Sequence, residues 1–156
     1  MIALSLTACQ RGNTNEIAAP MAGEGRDAHG CIPSAGFQWS PMRNACVKVF
    51  EAGLAFEPTA YNPDQTLRAY VLTTQTAGGK VTAAELFMPS ETQPWPLALL
   101  HTREGDIRPP VLESKEHKVR IYRTSEDAYM LERDGKVLFT FGPKDGNPLN
   151  QIDKTK

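Results

Sequence analysis

From residue 67 onward, hydrophobic and polar positions alternate in short runs. Lys118-Val119-Arg120-Ile121-Tyr122-Arg123 is the clearest case, with Val119 and Ile121 on one side. A period of two marks a strand with one buried face. Runs at 67–75, 80–88, 97–101, 111–113, 128–132 and 137–141 read the same way. Gly78-Gly79 and Asp134-Gly135 separate neighbouring runs as tight hairpin turns, and Asp-Gly is the strongest such signal in the chain. Residues 83–88 have a helical look but are too few and stop at Pro89. The pattern predicts a mainly β protein: a small antiparallel barrel or curled sheet of six to seven strands, with little helix.

Before this region lies a different unit, residues 30–56. Phe37 and Trp39 alternate like a short strand, and Val47 and Val49 like a second. Ser40 before Pro41 has the form of an N-cap followed by an N1 proline, which predicts a helical turn over 41–45. Cys31 precedes the first run and Cys46 stands just before the second. A disulfide between them would close a loop of 15 residues, worth ~3 kcal/mol in the chain-entropy model. The competing reading is a metal site built from His29, Cys31 and Cys46, but the paired C-x₂₋₄-C spacing of zinc ligands is missing. The disulfide is favoured. Residues 10–29 hold almost no large apolar side chain and predict a flexible tether. Residues 143–156 are polar, contain Pro143 and Pro148, and predict a fraying tail.

Composition narrows the function classes. The 156 residues carry 17 Lys+Arg and 18 Asp+Glu, a net charge of -1, so no basic field favours nucleic acid. No apolar run approaches the ~20 residues of a membrane-spanning helix. Glycine and proline number 12 each, which suits a turn-rich domain.

The first residues read Met1-Ile2-Ala3-Leu4-Ser5-Leu6-Thr7-Ala8-Cys9. Leu6-Thr7-Ala8-Cys9 resembles a bacterial lipobox, in which small residues precede a Cys that becomes the lipidated first residue. The resemblance implies a remnant of a lipoprotein signal peptide at 1–8, a lipid on Cys9, and a tether over 9–29. Gln10 rather than Asp after the Cys implies the outer membrane, facing the periplasm. Disulfides persist outside the cytoplasm, which agrees with pairing the other two cysteines. The layout is then leader, tether, a disulfide hairpin at 30–56, a β domain at 57–142 and the tail.

Signatures of catalysis are missing. Gly-x-Ser-x-Gly, phosphate-binding loops and Cys-x-x-Cys do not occur. His29, His101 and His117 sit beside loops, and His101 with His117 is the only pairing that cross-strand geometry suggests. The expectation is a non-enzyme with no cofactor and no metal. Candidate partner-binding residues are Trp95, held between Pro94 and Pro96, and a basic stretch of Ser114, Lys115, Lys118, Arg120 and Tyr122. An aromatic on a rigid loop suits an interface anchor, and Trp95 equally suits closing one end of a barrel. Lys118, Arg120 and Tyr122 on one strand would form an outward stripe facing an acidic partner.

Residues 30–53 carry Gly30, Cys31, Ser34, Ala35, Gly36, Phe37, Trp39, Ser40, Cys46, Val47, Phe50 and Glu51. This segment resembles uncharacterised small bacterial lipoproteins with a hairpin after a lipobox and a β-rich half. A second stretch, Ile121-Tyr122-Arg123 with residues 127–135 ending in Asp134-Gly135, is similar to the last strands of membrane-bound inhibitors of c-type lysozyme. That resemblance implies a small β-barrel lipoprotein. The family's Ser-Gly-x-x-Tyr motif is replaced by Ser114-Lys115-Glu116-His117-Lys118. The expected function is a lipid-anchored, non-catalytic envelope module that binds a protein partner. Inhibition of c-type lysozyme or another wall hydrolase, and a structural or assembly role in the envelope, are the alternatives.

Overall fold

The computed structural model describes residues 25–59, 67–100, 110–124, 128–142 and 148–152. Ten strands follow in order: β1 (Phe37–Ser40), β2 (Ala45–Lys48), β3 (Leu54–Pro58), β4 (Ala69–Gln75), β5 (Val81–Phe87), β6 (Trp95–Leu99), β7 (Pro110–Ser114), β8 (Val119–Arg123), β9 (Tyr129–Arg133) and β10 (Lys136–Phe141). One short helix, α1 (Val49–Ala52), joins β2 to β3. Strands β3 to β10 pair antiparallel with their sequence neighbours, and β10 closes on β3. The result is a closed up-and-down barrel whose seam, β10 on β3, is its shortest pairing together with β6 on β7.

A barrel of eight strands is just wide enough for side chains to fill it. Here Phe56, Val71, Leu86, Leu97, Ile121, Leu131 and Phe139 point inward and are buried. Phe141 stacks on Phe56 with centroids 5.3 Å apart and meets Tyr129 at 6.5 Å. The Asp134-Gly135 turn forms as the sequence predicts. Both residues have positive φ, 51° and 79°, the conformation that matches strand twist in a two-residue hairpin.

The barrel has one more strand than the upper end of the predicted range. The addition is β3. Its Leu54 and Phe56 alternate inward, but Glu57-Pro58 ends it, and the run is too short to stand out from the preceding unit. The predicted helical turn at 41–45 is instead a four-residue turn over 41–44, because Asn44 adopts φ 49° and leads directly into β2. The Ser40 capping contact does form: its Oγ accepts the Arg43 N–H at 3.1 Å. Val49 and Phe50, read as strand, begin α1.

The N-terminal unit is the predicted disulfide hairpin. Cys31 and Cys46 are bonded, with Cα atoms 5.5 Å apart. Hydrogen bonds also form before the predicted unit: Arg26 donates to the Gly30 carbonyl at 2.7 Å, and the Asp27 carboxylate accepts the N–H groups of His29 and Cys31 at 2.8 and 2.9 Å. Gly36 has φ 81°, which favours glycine, and a Cβ there would lie 2.5 Å from the Phe50 ring and displace it. The hairpin lies on the outside of the barrel over β4 and β5. Val47 and Val49 pack there against Leu72 and Phe87, flanked by Met42 and Tyr70. Leu72 and Phe87 point away from the barrel interior yet are 0% and 3% exposed, because the hairpin covers them.

The C-terminal expectation needs correction. Pro148–Gln151 form a 3-10 turn, and Leu149 and Ile152 are buried in the barrel core. The segment is polar overall, but these two apolar side chains plug into the barrel core, and the turn that carries them contacts β5. A short barrel exposes its interior at both mouths, so a plug is worth the ordering of a few residues.

Candidate functional site

One end of the barrel gathers the turns after β5, β7 and β9, and most of the predicted binding residues fall there. Trp95, the first residue of β6, is 5% exposed. Its indole stacks on His117 at 4.2 Å with ring planes 9° apart, and the Arg133 guanidinium lies over it at 4.9 Å. Trp95 therefore closes the barrel mouth. As an exposed interface anchor it is corrected, because the inward side of β6 directs the ring into the core with Leu97.

The basic stretch also differs from its expectation. Ser114 ends β7 and is buried. Lys115 is exposed in the β7–β8 turn. Lys118 has φ 53°, which takes it out of the strand, and its ammonium pairs with Asp134 at 3.3 Å. Arg120 is exposed on the outer face, but Glu113 of β7 and Glu132 of β9 stand directly opposite it. Tyr122 is half-buried and its hydroxyl meets Met130 Sδ at 3.6 Å. The outer face thus carries interleaved charges of both signs. Cross-strand pairs of opposite charge stabilise a sheet and cancel the field that would steer an acidic partner.

The metal reading of His29, Cys31 and Cys46 is excluded because both sulfurs are in the disulfide. His29 instead stacks on Trp39, centroids 4.5 Å apart and planes 6° apart. Among the described residues no group of three His, Cys, Asp or Glu side chains is placed to hold a metal ion. Cys9 and His101 lie outside the described residues.

Two features escaped the sequence. The first is Glu85 on β5, which is 4% exposed. It points outward into the hairpin interface. Its Oε2 accepts the Ser40 hydroxyl at 2.7 Å and its Oε1 accepts the Met42 N–H. Arg43, in the same turn, donates from Nη2 to the Thr73 carbonyl of β4 at 3.0 Å. A buried carboxylate supplied with donors on both oxygens clips the hairpin to the barrel. The second is a cavity of about 240 Å³ at the Trp95 end, between β10 and the turn after β5. Arg133 and Lys136 line it, and both flank the Asp134-Gly135 turn. A two-residue hairpin makes its flanking residues cross-strand neighbours, so that pairing was legible in the sequence.

A shallower groove of about 270 Å³ follows the seam between hairpin and barrel, with Gln38, Tyr70 and Phe87 in its wall. Arg68 at its margin pairs with Glu57 at 2.7 Å. The hydrogen bond and charge of Glu57 raise the Arg68 pKa above its already high usual value. Comparison with protein families, with curated proteins and with solved structures found no match for this chain.

Proposed function

We propose that this chain is a lipid-anchored protein of the bacterial cell envelope, held at the outer membrane facing the periplasm, whose barrel is a non-catalytic protein-binding module. The observation that carries the reading is the Cys31–Cys46 disulfide. Of three cysteines it consumes two and leaves Cys9, which stands in the lipobox-like Leu6-Thr7-Ala8-Cys9. Disulfides persist in oxidising compartments, so the bond and the lipobox support the same location. More than one acyl chain on Cys9 is needed for stable anchoring, at ~0.8 kcal/mol per buried CH₂. The barrel interior is filled by side chains, which directs recognition to the outer surface.

The test is fractionation of cells expressing the chain behind a lipoprotein leader of proven function. Wild type is expected in the membrane fraction, with incorporation of labelled palmitate. Cys9→Ser is expected in the soluble fraction. Membrane retention of Cys9→Ser overturns the anchor.

A second reading, inhibition of c-type lysozyme, is favoured by the closed antiparallel barrel in which β8, β9 and β10 run consecutively. The resemblance of this stretch to lysozyme inhibitors implies such a barrel. Purified protein at about tenfold excess is expected to slow c-type lysozyme on this reading. Unchanged turnover rejects it and leaves the binding-module reading with a resident envelope partner.

A further inference from the structure

We infer that the cavity beside β10 is a binding site for a carboxylate carried on a short apolar body. The cavity lies where the described pairing of β3 with β10 ends. Among the described residues only Phe139↔Pro58 and Thr140↔Glu57 pair between the two strands. Pro58 has no N–H to extend the ladder, and Thr59 partly replaces it: its N–H donates to the Leu138 carbonyl at 3.0 Å, and its hydroxyl to Val137 and Leu138. A register shift between Val137 and Phe139 bends β10 at the same place. The opening this leaves is walled on its apolar side by Met88, Leu138 and Phe139.

Its polar side is cationic. Arg133 and Lys136 both line it, and they stand directly opposite each other across the β9–β10 hairpin. Like charges in that position repel and disfavour the pairing. Among the described residues neither has a carboxylate within ion-pair distance, whereas Lys48, Arg68 and Lys118 all do. Ser90 adds a hydroxyl, and no acidic residue contributes to the lining. An anionic oxygen pair seated between the two cations would relieve their repulsion and accept charge-assisted hydrogen bonds. The apolar wall would take a body of a few carbons. At about 240 Å³ the space lies just below the usual ~300–1,000 Å³ of small-molecule sites, which fits a short-chain acid or one terminal peptide residue. This site is independent of the lipid anchor.

The experiment titrates the full chain by amide NMR with sodium hexanoate, with neutral hexanamide, and with acetyl-Ala-Leu as free acid and as amide. Expected are saturable shifts at Thr59, Ser90, Lys136 and Leu138 at up to about 10 mM of at least one free acid, and none with either amide. Hexanoate alone identifies a small acid, and the free-acid peptide identifies a peptide C-terminus. Lys136→Gln, which replaces an exposed side chain, is expected to weaken binding about tenfold while melting no lower than wild type. Arg133→Gln is expected to weaken it similarly, with folding checked because Arg133 also covers Trp95. The inference is overturned if neither acid shifts these residues, if the amides bind equally, or if Lys136→Gln and Arg133→Gln bind as wild type does.

Discussion

Glu85→Leu is the sharpest test of how the hairpin is held to the barrel. The substitution keeps a side chain of similar size in a place 4% exposed, but removes the acceptor of two donors. The Ser40 hydroxyl and the Met42 N–H would be left unpaired under the hairpin. Each orphaned buried donor costs about 1–3 kcal/mol, so the direct loss is roughly 2–6 kcal/mol. Removing a buried charge relieves desolvation and offsets part of that. The expected net loss is about 2–4 kcal/mol, a fall in Tm of roughly 5–15 °C for a chain of this size. Urea unfolding of the oxidised protein measures it, followed by the fluorescence of Trp39 in the hairpin and Trp95 at the barrel mouth. Single-tryptophan versions should show the Trp39 transition moving to lower urea first. A double-mutant cycle between Ser40→Ala and Glu85→Gln is expected to give a coupling of about 1–3 kcal/mol. A cost below about 0.5 kcal/mol with additive single mutants would show that Glu85 does not clip the hairpin.

Cys46→Ser is expected to lower stability by about 2–5 kcal/mol, and hydrogen exchange should then show β1 and β2 losing protection before the barrel strands. Equal loss throughout would mean the hairpin and barrel unfold as one unit. Leu149→Ala empties part of the C-terminal plug, and a destabilisation of about 2–5 kcal/mol is expected in chemical denaturation; a neutral result would remove the plug from the core. Trp95→Ala is expected to cost about 3–5 kcal/mol, and His117→Ala about 0.5–1.5 kcal/mol through the lost ring stack. If His117→Ala costs the same in the Trp95→Ala background, the stack contributes nothing. Glu57→Gln, which breaks an ion pair whose two side chains are about half exposed, should leave Tm unchanged within error.

How much was legible depended on how local each determinant is. Strands β4, β5, β8, β9 and β10 follow from alternation and turn residues within windows of five to eight positions, and Asp134-Gly135 adopts the positive φ its composition demands. The hairpin and its disulfide were legible because one cysteine precedes each of two short alternating runs. β3 was hidden by its length and by Pro58, since nothing local separates a five-residue strand from a connector. The candidate site was legible only in part. The Trp95 neighbourhood was singled out, but its burial and its partners His117 and Arg133 come from three different turns of the barrel.

By itself, then, the sequence determined the strand-forming periodicity, the hairpin turns, the cysteine pairing and the balance of charge. Each is set by side-chain chemistry over a few residues. The tertiary structure decided which outward faces are covered, where the barrel closes and what fills its mouths. Glu85 and Leu72 sit on the polar-facing side of their strands and are buried only because the hairpin folds back over them. Leu149 and Ile152 sit in a polar tail and are buried because the tail folds back onto the barrel core. Arg133 and Lys136 are neighbours through their own hairpin, but the cavity they line is completed by Met88, Pro89 and Ser90 from the turn after β5. In each case the deciding contact joins segments distant in sequence, and burial is a property of what two surfaces exclude from water together.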